Sequence, residues 1–183
     1  VVVKDEVAAG IADVRNDATP TNWVACGYES PDTPVVVFYG SGASGVPEFR
    51  DMLKDDNVVY GMVRKIEQID DSEAVKFCYI RWVGDNIPRM QRAKLPTHAG
   101  DMAQYFAPAH VTLDAPDLVE VNDDEIMKRI MIASGTYEHT LAVQPPRPSK
   151  QEQPRQLHQP ATRPQAKAQT APPVEDVVIF EDK

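Results

Sequence analysis

The chain has 183 residues, with 28 acidic and 19 basic side chains and a formal net charge of −9 at pH 7. Residues 1–143 carry 23 acidic and 13 basic side chains, whereas residues 144–183 carry 5 and 6. The first segment therefore has the size of an ordinary single domain and a net charge of −10. Such an acidic body argues against nucleic-acid binding, which requires basic side chains to neutralise phosphates.

Targeting signals and cysteine usage limit the class of protein further. No apolar run reaches the ~18 residues that a membrane span needs, and the apolar start at residues 1–4 is too short for a signal peptide. Cys26 and Cys78 each lie in an apolar run, so two buried free thiols are favoured over a single disulfide bridge. The cysteines and histidines lack zinc-site spacing, so we expect no metal or other cofactor. We expect a soluble, cytoplasmic protein with no membrane partner.

The first third of the chain alternates helix and strand patterns. Four apolar residues recur at the spacing of one helix face, namely Val3, Val7, Ile11 and Val14. They predict a helix over about residues 4–16. Residues 23–28 and 34–39 are typical of the two strands of a hairpin. The glycine-rich segment 40–45 is predicted to be a flexible loop, and Pro47 suits the first turn of a short helix.

Two strands and an interrupted helix are predicted next. Residues 58–66 have the composition of a strand, and residues 76–83 are apolar on both faces, which is typical of a central strand covered on two sides. Pro88 suits the first turn of a helix. Pro96 should break or kink that helix, because proline lacks an N–H and clashes with the preceding turn. We therefore predict two helical pieces, residues 88–94 and 98–106.

The remaining patterns complete the predicted domain. Residues 110–113 indicate a short strand, and Asn122 followed by Glu125 resembles a capping box at the start of a helix that Gly135 ends. The two-sided strands need cover on both faces. The sequence therefore predicts an α/β (α+β) fold with a mixed five- to six-stranded sheet sandwiched between helices, over residues 1–140.

The segment that follows has a different composition. Residues 144–183 hold 8 of the 16 prolines together with seven glutamines, and they lack apolar periodicity until an acid-flanked patch at 177–180. Such a segment cannot bury enough surface to offset its chain entropy. Residues 141–183 are therefore predicted to be a disordered tail. Its apolar patch could add a strand to the sheet of a partner, or it could have no partner.

Neither glycines nor acidic pairs in the sequence form a convincing catalytic site. The segment 40–45 (GSGASG) lacks the lysine of a P-loop and the spacing of a dinucleotide-binding turn. An enzyme that holds a nucleotide there remains an alternative hypothesis. The acidic pairs lie at turns or helix starts, where they suit turn chemistry and the helix dipole.

The most informative cluster of charges is basic. Residues 76–94 hold five basic side chains and one acidic residue, Asp85. The basic residues are Lys76, Arg81, Arg89, Arg92 and Lys94. Arg89 and Arg92 are three residues apart, so they share a helix face. A basic surface on an acidic domain suits an acidic protein partner that is attracted electrostatically, although a solvated helix would carry the same residues.

Short motifs occur in a consistent order along the predicted domain. They are VRND at 14–17, NWV at 22–24, DD at 55–56, YGMVR at 60–64, KFCYIRWVGDN at 76–86, MQRAK at 90–94, HVTLDA at 110–115 and DDEIMKRIMIASGTY at 123–137. Together these motifs resemble the coactosin branch of the actin-depolymerising-factor homology family. The resemblance spans about residues 3–138.

The resemblance implies a function without catalysis. It implies the family's fold, binding along the sides of actin filaments, and opposition to capping, with weaker binding to monomeric actin as an alternative. Lys76 corresponds to a lysine tied to filament binding, and the helix from Pro88 onward corresponds to the one that inserts into a cleft of actin. The implied actin-binding residues are Lys76, Arg81, Pro88, Arg89, Met90, Arg92 and Lys94. The arm at residues 1–4 would be a secondary contact.

The tail suggests a second function, as an adaptor. Pro145, Pro148 and Lys150 fit the PxxPx(K/R) pattern that SH3 domains bind in the polyproline II conformation. The alternative for this segment is a plain solubilising spacer. An adaptor would bind actin through its domain and recruit an SH3 protein through its tail.

The adaptor hypothesis predicts that Pro148→Ala removes a partner. Pull-down with the full chain should recover an SH3-domain protein, and the substitution should abolish its recovery while actin binding persists. An identical set of partners with and without the substitution would contradict the hypothesis.

Overall fold

A computed structural model describes residues 1–137 of the chain. The described elements, in chain order, are β1 (Val2–Val3), α1 (Asp5–Arg15), β2 (Trp23–Tyr28), β3 (Val35–Gly42), α2 (Val46–Arg50), β4 (Val58–Ile69), β5 (Ser72–Val83), α3 (Arg89–Tyr105), β6 (Val111–Ala115) and α4 (Asp123–Ser134). The predicted domain limit at residue 140, the tail at 141–183 and the SH3-ligand candidate lie outside these residues, so they stay predictions.

A single mixed sheet organises the domain, with the strand order β1-β3-β2-β4-β5-β6. The pairings among β2, β3, β4 and β5 are antiparallel, whereas β1 and β6 lie at the two edges and pair in parallel with β3 and β5. The longest pairing joins β4 and β5, from Val58 opposite Val83 to Ile69 opposite Ser72. The predicted six-stranded alternative is therefore confirmed.

Helices cover both faces of the sheet, as predicted from the strand that is apolar on both faces. Helices α1 and α3 bury their apolar side chains against one face, where Ile11 and Met102 belong to the same cluster. Helices α2 and α4 cover the other face, where Phe49 and Ile126 belong to a second cluster. We refer to these as the α3 face and the α4 face.

The two cysteines are free and buried, as predicted. Cys26 lies in the cluster of the α3 face, whereas Cys78 lies in the cluster of the α4 face. The sheet therefore separates the two thiols. Burial raises the pKa of both thiols, to about 12 for Cys78, so both are neutral at physiological pH.

The glycine-rich segment 40–45 is more ordered than the sequence predicted. Strand β3 continues to Gly42, which pairs with Trp23, so only residues 43–45 connect β3 to α2. A side chain at position 42 would overlap the carboxylate of Glu48. That carboxylate accepts a hydrogen bond of 2.8 Å from the indole nitrogen of Trp23. The glycine therefore serves the packing of a strand against α2.

The predicted break at Pro96 is wrong, because α3 continues through it from Arg89 to Tyr105. The ring of Pro96 is exposed, while Gln91, Leu95 and Met102 are buried against the sheet. This packing on both sides of Pro96 compensates for the hydrogen bond that proline cannot donate. No helix within residues 1–137, including this one, is long and apolar enough to cross a membrane.

A chain of polar side chains ties α3 to the sheet. The hydroxyl of Tyr28 lies 3.0 Å from that of Tyr60 and 2.8 Å from Nδ1 of His98 on α3. Burial lowers the pKa of His98 and raises that of Tyr60, so all three groups are neutral at physiological pH. The chain thereby satisfies buried polar atoms without burying a charge.

The start of α4 is capped as the sequence predicted. The backbone N–H of Glu125 donates a hydrogen bond of 2.8 Å to the side chain of Asn122. The carboxylate of Glu125 pairs instead with Arg129, one turn further along, so only half of a capping box is formed. The helix ends at Gly135, also as predicted.

Substitutions at two glycines are predicted to have opposite effects on stability. A Cβ atom at Gly84 would overlap the backbone carbonyl of Asp55, which cannot move aside easily, whereas one at Gly100 in α3 would meet nothing within 4 Å. Gly84→Ala should lower the free energy of unfolding by about 1–3 kcal/mol. Gly100→Ala should raise it by about 0.5–1 kcal/mol, since alanine favours the helix. Denaturant unfolding of both variants would measure the difference, and a stable Gly84→Ala variant would contradict the close packing of Gly84 against Asp55.

Candidate functional site

The first turns of α3 present an exposed surface of mixed character. Pro88 occupies the N-cap position, and Arg89 and Lys94 project from the turns that follow, both exposed. Between them, the side chain of Met90 is 71% exposed, among the most exposed large apolar side chains of residues 1–137. We call these four residues the helix-start surface. It combines two cations with an apolar contact point.

Arg92 lies beside this surface but is engaged inside the protein. Its Nη2 donates hydrogen bonds of 2.9 Å to the carbonyl of Gly84 and 3.2 Å to that of Asp85. These bonds fasten the loop after β5 to the first turn of α3. Arg92 therefore positions the helix-start surface, and its remaining donors face solvent.

Arg81 is also engaged within the domain. Its Nε lies 2.8 Å from the carboxylate of Asp114, its neighbour across the parallel pairing of β5 and β6. The pair lies on the α3 face, because Arg81 is two residues from the buried Tyr79 and side chains two apart in a strand share a face. The charge of Arg81 is thus largely balanced before any partner approaches.

Lys76 lies far from the helix-start surface. Along β5 it shares its face with Cys78 and Ile80, which belong to the α4 face, whereas α3 covers the opposite face. Six residues of extended strand separate Lys76 from Trp82, a distance of about 20 Å. The basic segment of the sequence therefore forms two separate surfaces, at opposite ends and on opposite faces of β5.

A buried carboxylate accompanies Lys76. Nζ of Lys76 lies 3.5 Å from Oε2 of Glu67, whose side chain is only 2% exposed. Oε1 of Glu67 accepts a hydrogen bond of 2.5 Å from the hydroxyl of Thr136, and Oε2 accepts one of 2.8 Å from the hydroxyl of Ser134. Burial raises the pKa of Glu67, but the two hydroxyl donors and the ammonium outweigh burial and leave the pKa below its ordinary value. Glu67 is therefore a carboxylate at neutral pH.

A second lysine stands directly opposite Lys76. Lys65 is its partner in the antiparallel pairing of β4 and β5, and the ammonium of Lys65 forms an ion pair with Asp123 at the start of α4. Two like charges directly opposite each other destabilise a sheet. Two carboxylates offset this repulsion. Asp123, at the start of α4, pairs with Lys65, and Glu67, which contacts the end of α4, lies beside Lys76.

The lysines belong to a two-stranded extension of the sheet. Among residues 1–137, no third strand pairs with β4 beyond Val63 or with β5 before Cys78. We call the extension, residues 64–69 and 72–77, the ribbon. On its other side it carries Ile66 and Val75, an exposed apolar pair. At its base the N–H of Phe77 donates to Nδ1 of His110 at 2.9 Å, which joins the ribbon to the start of β6.

Glu67 is the functional candidate that the sequence analysis missed. Position 67 follows Val59 and Val63 at even spacing, and these valines are buried on the α4 face. The strand pattern therefore contained a signal, an acidic residue on the inward face. Its partners, Ser134 and Thr136, lie 67 and 69 residues away in the chain and had no such signal.

Comparison with known families decides the classification. Residues 1–131 match the family described as cofilin/tropomyosin-type actin-binding protein. The chain belongs to this family. Membership confirms the resemblance on which the expectation of actin binding depended, and the protein is accordingly an actin-binding protein of the coactosin type.

Individual members of the family give the same assignment. The chain is 30% identical over 132 residues to coactosin from Entamoeba histolytica, a match that covers 71% of this chain and 88% of that protein. The crystal structure of coactosin from the same organism superposes with a TM-score of 0.67 over 73% of this chain and 96% of that one, at 27% identity. Drebrin-like protein from Mus musculus is 29% identical over 122 residues, which make up 67% of this chain but only 27% of that longer protein.

The family match accounts for the fold and the class of partner, but it is silent about the individual contacts. Within the family domain, the exposed cations Arg89 and Lys94 and the buried pair of Lys76 with Glu67 are features of this chain's own geometry.

Neutralising Glu67 should destabilise the domain in a pH-dependent manner. Glu67→Gln should lower the free energy of unfolding at pH 7 by about 1–3 kcal/mol, because a buried charged acceptor is lost. The folded pKa lies below the ordinary value of about 4.5, so the stabilisation is present above that value and is lost as the pH falls through the folded pKa.

Denaturant unfolding of both proteins between pH 7 and pH 3 would measure this effect. The difference between them should be constant above about pH 5 and should narrow below pH 4.5. A difference that stays constant down to pH 3, or that widens, would contradict a charged Glu67.

Proposed function

We propose that the protein binds along the sides of actin filaments through two surfaces, the helix-start surface and the ribbon around Lys76. Binding along the side stabilises subunits in the filament and opposes capping, and it requires no chemical step. The observation that carries the proposal is the helix-start surface, an exposed methionine between two exposed cations in an otherwise acidic domain of an actin-binding family.

The helix-start surface has the composition of a protein-binding hot spot. Met90 supplies an adaptable apolar side chain, a type of residue enriched in the cores of interfaces. Arg89 and Lys94 supply positive charge at the rim of the apolar point. Their side chains make no ion pair within residues 1–137, which leaves both charges available to an acidic partner. Arg92 supports the surface by holding the loop beneath it.

Lys76 supplies a second contact of a different kind. Its ammonium is 3.5 Å from Glu67, a distance that leaves donors free, and its side chain is 18% exposed. A partner that contacts Lys76 therefore binds a cation that is held on a strand. The apolar pair Ile66 and Val75 extends the same ribbon on its other side.

The separation of the two surfaces favours a filament over a single actin molecule. They lie on opposite faces of the sheet and about 20 Å apart along β5. One flat contact cannot cover both faces, whereas a filament offers neighbouring subunits on either side of a bound domain. Association with the actin cytoskeleton follows from this mode of binding.

Substitutions in either surface should weaken filament binding. Arg89→Ala and Lys76→Ala are each expected to cost about 1–3 kcal/mol if the contacts are desolvated in the complex. Cosedimentation of the full chain with filamentous actin would measure the change. Binding to monomeric actin should respond to one of the two substitutions only, because one subunit covers only one surface.

Arg50→Ala provides the control with the same change of charge. Arg50 is exposed on α2 and belongs to neither surface, so its loss should leave filament binding within about twofold of wild type. If both Arg89→Ala and Lys76→Ala cosediment with filaments as strongly as the wild type, the assignment of the two binding surfaces is contradicted. Absence of cosedimentation by the wild-type chain would contradict the filament as the partner.

A further inference from the structure

We infer that Glu67 is a positioning residue for Lys76, through which the end of α4 fixes the filament-binding geometry of the ribbon. The inference rests on the proposed function, because it concerns how Lys76 meets a filament. It adds three side chains that the basic segment does not contain, namely Glu67, Ser134 and Thr136.

The carboxylate of Glu67 is held in one orientation. It is almost completely buried, and each oxygen accepts a hydrogen bond from a different hydroxyl beyond or at the end of α4. Thr136 is fixed in turn, because its Oγ1 also lies 3.3 Å from the carbonyl of Met131. The negative charge therefore has a defined position relative to the helix.

This fixed charge restrains the ribbon. A two-stranded extension is only marginally stable by itself, so its direction depends on what holds it. On the α4 face, contacts at two points join it to the helix, at Asp123 through Lys65 and at Ser134 and Thr136 through Glu67. Loss of the Glu67 contact would free the ribbon on the side where Lys76 lies.

The same charge restrains the lysine itself. Lys76 is the diagonal neighbour of Glu67, since Lys65 stands opposite Lys76 and Ala74 stands opposite Glu67. Each oxygen of the carboxylate accepts a hydrogen bond from one hydroxyl, and the ammonium lies 3.5 Å away, which is longer than an ordinary hydrogen bond. Glu67 thus orients Lys76 electrostatically but leaves its donors for a partner. A side chain ordered in advance loses less entropy on binding.

Glu67 could also have the opposite effect on filament binding, by masking the charge of Lys76. If Glu67 only masked Lys76, its neutralisation would release the lysine and would tighten filament binding. The two effects therefore differ in sign, and a neutral isostere at position 67 separates them.

The test is a double-mutant cycle in the full chain, measured by cosedimentation with filamentous actin. Glu67→Gln should raise the dissociation constant about 5- to 20-fold relative to wild type, as expected when a positioning group is lost. In the Lys76→Ala background it should add no further loss, because Glu67 acts through Lys76. If Glu67 only stabilised the fold, Glu67→Gln would weaken filament binding by the same factor in the wild type and in the Lys76→Ala variant.

Two further variants make the cycle decisive. Glu125→Gln removes the same charge from the Glu125–Arg129 pair of α4 and should bind within about twofold of wild type. Ser134→Ala leaves both charges in place and lies at the exposed end of α4, so it should fold normally. It should weaken binding about two- to fourfold, again only when Lys76 is present.

The outcomes distinguish this inference from the proposed function. Tighter or unchanged binding by Glu67→Gln, or an equal loss with and without Lys76, would overturn the positioning role while Lys76→Ala still shows a defect. Wild-type binding by Lys76→Ala would instead overturn the ribbon as a filament-binding surface, and the positioning role with it.

Discussion

The uninterrupted antiparallel pairing of β4 and β5 determines which face of the sheet the candidate side chains Lys76, Arg81 and Glu67 occupy. Both strands have 12 residues, and their register assigns alternate side chains to the α3 face and the α4 face. A slip of one residue would exchange the two sets, moving Cys78 and Ile80 to the α3 face and placing the charged Arg81 against the helices of the α4 face. Burial of the apolar set on both faces is therefore what keeps Lys76 and Arg81 on opposite sides.

The basic side chains of one short segment have different roles, because their contacts within the domain differ. Arg81 and Arg92 are engaged with Asp114 and with the loop at Gly84, so they hold elements together. Arg89 and Lys94 lie on the exposed side of the first turns of α3, whereas Gln91 and Leu95 of the same turns are buried. Internal contacts, more than the number of charges, decide which cations are available to a partner.

Local sequence patterns predicted most of the elements, but not strand β1, the full length of β4 and β5, or the contacts between distant segments. The apolar residues on both faces of the segment 76–83 predicted a strand covered on two sides, and Asn122 with Glu125 predicted the start of α4. At Pro96 the local rule failed, because burial of Leu95 and Met102 stabilises the helix across the proline. The division of the basic segment into two surfaces, and the contact of Glu67 with Ser134 and Thr136, depend on tertiary packing, for which sequence spacing carries no information.

Within residues 1–137, the ribbon has outer edges that pair with no further strand, and this has a consequence for solubility. Its outer N–H and C=O groups could pair with the same segment of another chain, as exposed edge strands do in aggregates. Lysines on one side of the ribbon and aspartates at its turn oppose such pairing by electrostatic repulsion between identical copies. A partner that neutralises Lys76 also removes part of this repulsion, but it covers the strand at the same time. The side chains that we assign to binding therefore also keep the free protein from associating with itself.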